Sequence, residues 1–177
     1  MPIMLDAGWY GAADGFAYWP GALEDARVLY SVHMYEPYRM TSDPTSLKRP
    51  ALAYPGMAPF AGSQQHCDQE RVAGYLGNFT HWAQQARVPA SRLVIGELGC
   101  LRRWPDCARY LGDVLAVAER SAVHWAFYAF REDAWEGMDY ELGSAPVRGN
   151  TGKPPKPASP IPSSAAAARC SMSLRTT

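Results

Sequence analysis

Short apolar runs alternate with two amphipathic stretches along the first 130 residues of the chain. Four runs predict strands, at residues 2–6, 28–35, 92–95 and 123–130. The second run carries β-branched and aromatic residues on both of its faces. That pattern is typical of a strand that is buried on both sides in a parallel sheet.

The two amphipathic stretches predict helices between these strands. Asp68 is expected to cap the first helix, and Pro89 ends it. The apolar residues of that helix fall on one stripe, which consists of Val72, Tyr75, Leu76, Phe79, Trp82, Ala83 and Ala86. A second helix is expected to begin at Asp106, with Ala108, Leu111, Leu115 and Ala118 facing the core. Strands that alternate with helices in this way predict an α/β fold built on a parallel sheet.

Two further stretches have no apolar period. Residues 36–66 are Pro-rich and aperiodic, and a loop of that length in a compact domain is typical of a functional loop over a site. Residues 149–168 consist mainly of Gly, Pro, Ser, Lys and Ala, so they have little to bury. We therefore expect one domain over residues 1–144 and a low-complexity, disordered tail over residues 145–177.

Polar and aromatic residues cluster where three of the predicted strands end. The clusters are His33-Met34-Tyr35-Glu36-Pro37, Gly96-Glu97-Leu98-Gly99 and Trp125-Ala126-Phe127-Tyr128. Each one alone is weak evidence, because a His and a Tyr two apart on a strand more often pack, and a Glu after a strand is more often solvated. In a parallel α/β array, however, ligands bind outside the C-terminal ends of the strands, where the three clusters can converge.

Taken together and in this order, the clusters resemble glycoside hydrolase family five, the cellulase-like enzymes. The family has His-x-Tyr at the end of the sixth barrel strand, Gly-Glu-x-Gly at the seventh and an aromatic platform at the eighth. The turn Tyr54-Pro55-Gly56 and residues 138–143 agree with the family as well, and the resemblance extends over residues 2–143. It implies half of a TIM (β/α)8 barrel, with four parallel β/α units that correspond to barrel strands five to eight.

The resemblance also implies roles for the residues at the strand ends. Glu97 takes the position of the nucleophile of a retaining β-1,4-glucanase, and His33 and Tyr35 take the positions of its hydrogen-bonding neighbours. A Tyr35 hydroxyl within reach of Glu97 would favour the charged carboxylate, which must stay ionised to attack the anomeric carbon.

Further residues are expected to bind the substrate, a β-glucan or a related oligosaccharide. Tyr128 takes the position of the sugar-stacking aromatic, while Trp135 and Glu36 would line sugar subsites. Trp125 lies on the opposite face of the same strand from Tyr128, so it is expected to pack in the barrel wall. The family's reaction requires no cofactor and no metal.

The sequence departs from the family at the second catalytic carboxyl group. A retaining glycosidase needs two carboxyl groups about 5 Å apart. The family supplies the acid/base from an Asn-Glu-Pro motif at the fourth strand, and this sequence contains no Asn-Glu pair. Asp6 and Glu36 are the nearby carboxyls that could replace it. Two alternatives stay open: a non-catalytic remnant that binds glucan, and a truncated fragment that associates with itself.

Length and composition limit the partners of the chain. A complete barrel takes about 250 residues, and this chain has 177. A half barrel exposes two edge strands and one apolar face, so we expect a homodimer or a complementing N-terminal half. The 17 Lys and Arg balance the 17 Asp and Glu, which argues against nucleic acid or anionic lipid as a partner.

Neither the N-terminus nor the cysteines indicate a compartment. The first residues include no basic region and no long apolar stretch, so we expect no secretory signal in this chain, although the family is often secreted. The longest apolar run, at residues 123–130, is too short for a membrane helix. The spacing of Cys67, Cys100, Cys107 and Cys170 matches no zinc motif. A disulfide between Cys100 and Cys107 is expected, because one follows Glu97 closely and the other lies in the first turn of the next helix.

Overall fold

A computed structural model describes residues 1–129 and 137–143 of the chain. These residues belong to one compact unit, Met1–Pro146. In chain order the elements are β1 (Ile3–Asp6), α1 (Gly8–Gly11), β2 (Val28–Met34), α2 (Tyr38–Thr41), β3 (Gly56–Phe60), β4 (Ser63–Cys67), α3 (Gln69–Gln85), β5 (Leu93–Leu98), α4 (Cys107–Arg120) and β6 (His124–Phe127). Short 3₁₀ turns lie at Ala13–Tyr18, Pro44–Lys48, Ala90–Arg92 and Tyr140–Leu142.

Four of the strands form one parallel sheet in the order β1-β2-β5-β6. Each predicted strand therefore exists, although β6 ends at Phe127, before the predicted end of that run. The predicted tail and the domain boundary near residue 144 lie outside the described residues, and both stay predictions.

An irregularity in the pairing of β2 with β5 matters for the site. Val32 is paired with Ile95, but the register then shifts, so that His33 lies opposite Glu97 instead of Gly96. Side chains alternate between the faces of a strand, so a shift of one residue decides which side chains share a face. This irregularity brings His33 and Glu97 to neighbouring positions on the sheet.

The core lies between the sheet and its helices, and aromatic rings fill much of it. Phe16 contacts Phe79 and Trp82 at centroid distances of 4.7 and 4.5 Å, and Tyr30 of β2 contacts Trp82 at 4.9 Å. The α3 stripe is confirmed: Asp68 caps the helix by accepting from the Arg71 N–H, and Val72, Leu76, Phe79, Trp82 and Ala83 are buried. Tyr75 and Ala86 are partly buried.

The predicted inner face of α4 was wrong by one position for most of its residues. The buried residues are Cys107, Tyr110, Val114, Val117 and Ala118, whereas Ala108 is exposed and Leu111 and Leu115 are only partly buried. The fully buried Tyr110 explains the rotation, because its hydroxyl donates to the Glu36 carbonyl at 3.0 Å.

Residues 36–66 are more ordered than the predicted loop. They contain α2, a 3₁₀ turn, and the strand β3, which forms an antiparallel hairpin with β4. The two-residue turn of the hairpin, Ala61-Gly62, has positive φ angles of 47° and 78°. Such a turn matches the right-handed twist of a hairpin.

The outer strands β1 and β6 are exposed. Trp125 was expected to pack in the barrel wall, but 40% of it is exposed, and its ring contacts Phe127 on the same strand. The reason is that β6 is an edge strand of the sheet. Within the described ranges, no helix is both long and apolar enough to cross a bilayer.

Candidate active site

Two side chains at the end of β2 meet the carboxylate of a third residue on β5, the neighbouring central strand. The Tyr35 hydroxyl donates to Glu97 Oε2 at 2.8 Å, and His33 Nδ1 lies 3.6 Å from the same oxygen. His33 belongs to β2, Tyr35 follows it directly, and Glu97 belongs to β5. The structure therefore brings together the three residues that sequence reasoning placed at the reaction centre.

The other side of the His33 ring faces β1. Its Nε2 lies 3.6 Å from Asp6 Oδ1, so the imidazole stands between two carboxylates. Gly11 packs against the same ring, since a Cβ at Gly11 would lie 2.6 Å from His33 Cγ. Gly11 also has a φ of 74°, which a residue with a Cβ rarely adopts.

Tyr35 is held as a neutral hydrogen-bond donor. Burial raises its pKa far above the ordinary value of 10, and the hydrogen bond to Glu97 raises the pKa further. The backbone that follows the ring is also held: the Thr41 hydroxyl donates to the Tyr35 carbonyl, and the Tyr110 hydroxyl donates to the Glu36 carbonyl. The phenol therefore offers its proton to Glu97 in a fixed geometry.

A cavity of about 580 Å³ opens beside these residues. Its lining includes His33, Tyr35, Glu36 and Glu97, together with Trp9, Tyr10, Ala12, Ala13, Asp14, Met34, Tyr38, Phe60 and Tyr75. The volume is that of a typical small-ligand site, and a mainly aromatic wall with a few polar groups is typical of such sites. Sequence reasoning missed the aromatic wall, although the pair Trp9-Tyr10, shortly after the end of β1, was a signal for it.

The predicted substrate-binding residues have different placements. The Glu36 carboxylate lines the cavity and accepts from the Tyr38 N–H at 2.9 Å. Tyr128 directly follows β6, where its N–H donates to the Leu98 carbonyl at 3.0 Å, and its side chain is partly buried and does not line this cavity. Trp135 lies outside the described residues.

A disulfide fixes the segment that follows Glu97. Cys100 and Cys107 are bonded, with a Cα–Cα distance of 5.7 Å, so the predicted pairing is confirmed. The Tyr140 hydroxyl accepts from the Cys100 N–H at 2.9 Å and lies 3.0 Å from the Cys100 carbonyl, to which it donates. The end of β5 is thus tied both to α4 and to residues near position 140. In residues 1–129 and 137–143, no group of three His, Cys, Asp or Glu side chains could hold a metal ion.

The chain has a parallel sheet with helices between its strands and a polar site at its C-terminal strand ends, which agrees with part of a β/α barrel. Solved structures support this. An endoglucanase matches with a TM-score of 0.58 at 18% identity, over 78% of this chain and 41% of its own. A hyperthermophilic endo-β-1,4-glucanase in complex with substrate matches with a TM-score of 0.55 at 17% identity, over 77% and 41%. Cel5A of Thermotoga maritima in complex with cellobiose matches with a TM-score of 0.57 at 15% identity, over 78% and 42%.

The fold is therefore that of a partial (β/α)8 barrel, similar to part of these endoglucanase structures. The chain spans about two fifths of the length of these structures. No protein-family model and no curated protein matches the sequence.

Proposed function

We propose that the chain carries the nucleophile half of a retaining β-1,4-glucanase-like site, in units that correspond to barrel strands five to eight. The observation that supports this most is the Glu97 carboxylate, which accepts from Tyr35, lies beside His33 and borders a cavity of ligand size. Structures with a similar fold were solved with cellobiose and with an endo-β-1,4-glucanase substrate. The proposed substrate is accordingly a β-1,4-linked glucan.

In this reaction Glu97 attacks the anomeric carbon, and the bond from that carbon to the leaving oxygen breaks. The oxygen departs with the bonding electron pair, and the sugar becomes covalently attached to Glu97. Water then attacks the same carbon and releases Glu97, so the configuration is retained. Tyr35 orients the attacking carboxylate, and His33 holds the same end of the sugar. Tyr128, Trp135 and Glu36 are proposed to contact further sugar units.

Both steps normally depend on a second carboxyl group, which first acts as an acid and then as a base. General acid help is worth about 10² to 10⁴ in rate. The isolated chain should therefore hydrolyse natural glucans very slowly and still react with a dinitrophenyl β-cellobioside, whose leaving group needs no proton. Because the base is missing from the second step too, the covalent glycosyl adduct should accumulate.

The test is intact-protein mass spectrometry after incubation with the dinitrophenyl cellobioside. A mass increase of one cellobiosyl group, located on Glu97 by peptide mapping, is expected. Glu97→Gln should remove the adduct, while Glu119→Gln, at an exposed position of α4 outside the cavity lining, serves as the matched control and should retain it. An adduct that survives Glu97→Gln would place the nucleophile elsewhere.

The missing acid/base favours a second candidate, a non-catalytic remnant that binds glucan. Binding of cellotetraose by the wild-type chain, with no adduct and no released dinitrophenol, would identify it. Calorimetry and the adduct experiment together separate the two candidates.

The partner proposal follows from the exposed edges of the sheet. Ile3 and Met4 on β1 and Trp125 and Phe127 on β6 are large apolar residues that are exposed at the two ends of the sheet. Edge strands also present unpaired backbone groups. We propose that a second copy, or a separate N-terminal half-barrel, pairs with these edges. A monodisperse monomer in sedimentation velocity at micromolar concentration would contradict the homodimer.

A further inference from the structure

Tyr35, the hydrogen-bond donor to Glu97, lies beyond the last paired residue of its strand. The pairing of β2 with β5 ends at Met34 and Leu98, one residue before Tyr35. Glu97 lies inside β5, so strand pairing fixes its position. The 2.8 Å hydrogen bond between the two side chains therefore depends on how the chain is held where it leaves β2.

Thr41, the last residue of α2, holds that part of the chain through its side chain. It is fully buried, and its hydroxyl donates to the Tyr35 carbonyl. The Pro37 carbonyl lies further from the same oxygen, at 3.5 Å. A hydroxyl has a single proton, so the Ser42 hydroxyl, which is 3.0 Å away and also buried, must donate to Thr41 Oγ1. The Thr41 hydroxyl is thus kept as a donor to Tyr35.

The backbone of Thr41 contacts the segment that follows Glu97. The Leu101 N–H donates to the Thr41 carbonyl at 2.7 Å. Leu101 is fully buried and directly follows Cys100, which the disulfide holds. Thr41 therefore holds the chain that leaves β2 with its side chain and the chain that leaves β5 with its backbone.

Small shifts at this junction matter for the chemistry. A hydrogen bond to an ionised carboxylate is strong, but it weakens steeply when the donor is misaligned. Burial and the bond to Glu97 raise the pKa of Tyr35, so the phenol keeps the proton that it donates. Thr41 itself does not line the cavity, so its effect on a bound sugar must pass through other residues.

We infer that Thr41 is a positioning residue for the Tyr35–Glu97 pair, because it fixes Tyr35 relative to the end of β5 and so keeps the phenol within hydrogen-bond reach of the carboxylate. The inference deepens the proposed function and rests on it for the identity of the reaction. Thr41 touches no substrate in this scheme and acts only through Tyr35.

The first test measures adduct formation from the dinitrophenyl cellobioside in Thr41→Val and Thr41→Ser. Valine keeps the shape of threonine without its hydroxyl, whereas serine keeps the hydroxyl. Thr41→Val should slow adduct formation about tenfold, because a 1 Å misplacement can cost about 10²-fold. The Kd for cellotetraose should stay within about twofold, since the lost interaction acts on the reaction step. Thr41→Ser should restore most of the rate.

Thr80→Val is the matched control for the loss of a hydroxyl. The Thr80 hydroxyl also donates to a backbone carbonyl, that of Gly77 at 3.2 Å, but within α3 and outside the cavity lining. Thr80→Val should therefore leave the rate of adduct formation unchanged. Equal rates in Thr41→Val and Thr80→Val would overturn the inference.

A double-mutant cycle separates positioning from a general loss of structure. In Tyr35→Phe the phenol hydroxyl is gone, so Thr41→Val should have little further effect on the rate in that background. The same slowing with and without the Tyr35 hydroxyl would contradict a role through Tyr35. If Thr41→Val does not fold, Thr41→Ala takes its place in the cycle. Failure of both variants to fold would show that Thr41 serves the fold, and it would also overturn the inference.

A measurement without sugar distinguishes failure of this inference from failure of the proposed function. In protein with ¹³C at tyrosine Cζ, the Tyr35 resonance is the one that Tyr35→Phe lacks. Thr41→Val should shift it in the same direction as Glu97→Gln, which removes the charged acceptor, and Thr80→Val should not shift it. That result in a chain that forms no adduct would support the positioning and overturn the proposed nucleophile. A wild-type adduct, formed equally fast in Thr41→Val with an unshifted Tyr35 resonance, would overturn the positioning alone.

Discussion

Replacement of Gly11 by Ala should affect the proposed nucleophile Glu97 through His33, although Gly11 itself has no catalytic group. The new Cβ would lie 2.6 Å from His33 Cγ and 2.7 Å from His33 Cδ2. Those distances are well inside ordinary contact, so either the turn that contains Gly11 or the imidazole must move. The substitution also places a Cβ at a φ of 74°, where the left-handed conformation costs roughly 1–2 kcal/mol.

Gly62 offers a matched control for the backbone cost. Its φ is 78°, close to that of Gly11, but a Cβ there would meet nothing within 4 Å. Gly62→Ala should therefore lower the free energy of unfolding by about 1 kcal/mol, since left-handed strain is partly offset by a stiffer unfolded chain. Gly11→Ala should lower it by a further 1–3 kcal/mol, roughly the cost of overpacking a filled site.

Urea unfolding, followed by tryptophan fluorescence, measures both variants, and the rate of Glu97 adduct formation measures the site. If His33 yields instead of the turn, the extra loss of stability will be small and adduct formation will slow markedly. A double-mutant cycle with His33→Ala should then remove most of the difference between Gly11→Ala and Gly62→Ala. Equal stability and equal reactivity in the two glycine variants would refute the packing of Gly11 on His33.

Three further predictions concern the framework of the site. Replacement of both Cys100 and Cys107 by Ala should lower the free energy of unfolding by roughly 2.5 kcal/mol, because the unfolded chain gains the entropy of a loop with a sequence separation of 7. Urea unfolding of the wild type in a reducing agent should give a free energy of unfolding close to that of the double variant. The pKa of Tyr35 is higher in the folded state than in the unfolded state, where it is about 10. The neutral phenol therefore stabilises the fold fully below pH 10, and this stabilisation is lost as the pH rises above 10, because the unfolded chain then ionises first. Unfolding free energies measured at pH 9 and 11 should thus fall less steeply in Tyr35→Phe than in wild type. Asp68→Ala removes the cap of α3 and should cost about 1 kcal/mol in urea unfolding, whereas Asp68→Asn should retain most of that stability.

Local periodicity was enough to predict the strands of the sheet and the buried face of α3. Those patterns are carried by residues close in sequence, such as Val72, Leu76 and Phe79, and they do not depend on the rest of the fold. The face of α4 could not be predicted in the same way. It depends on Tyr110, whose hydroxyl reaches the Glu36 carbonyl from a position 74 residues further along the chain.

The site was predictable in composition but not in geometry. Short motifs identified residues 33, 35 and 97 as candidates. Their contact, however, depends on the register shift after Val32, which no local sequence pattern predicts. The hairpin β3–β4 was missed because its strands alternate weakly and include Pro59. The Trp9-Tyr10 pair was visible in the sequence, but its place in the cavity lining was missed because a pattern of apolar positions does not reveal the left-handed backbone of the turn.

The position of Asp6 bears on where the proposed glucanase site would obtain its second carboxyl group. Asp6 lies against Nε2 of His33, whereas Glu97 lies against Nδ1, so the imidazole ring stands between the two carboxylates. A sugar oxygen cannot be placed between them without displacing His33, and Asp6 is therefore a poor replacement for the acid/base. Glu36 is also engaged, since its carboxylate accepts from the Tyr38 N–H.

A donor supplied across an exposed edge of the sheet agrees better with this geometry. If a second copy supplies it, the active species is a dimer, and below its dissociation constant the rate of glucan hydrolysis should rise with the square of the chain concentration. Formation of the Glu97 adduct from the dinitrophenyl cellobioside needs no donor, so its rate per chain should stay constant over the same range. Glucan hydrolysis that is strictly first order in chain, at concentrations where the chain sediments as a monomer, would show that a single copy contains its own acid.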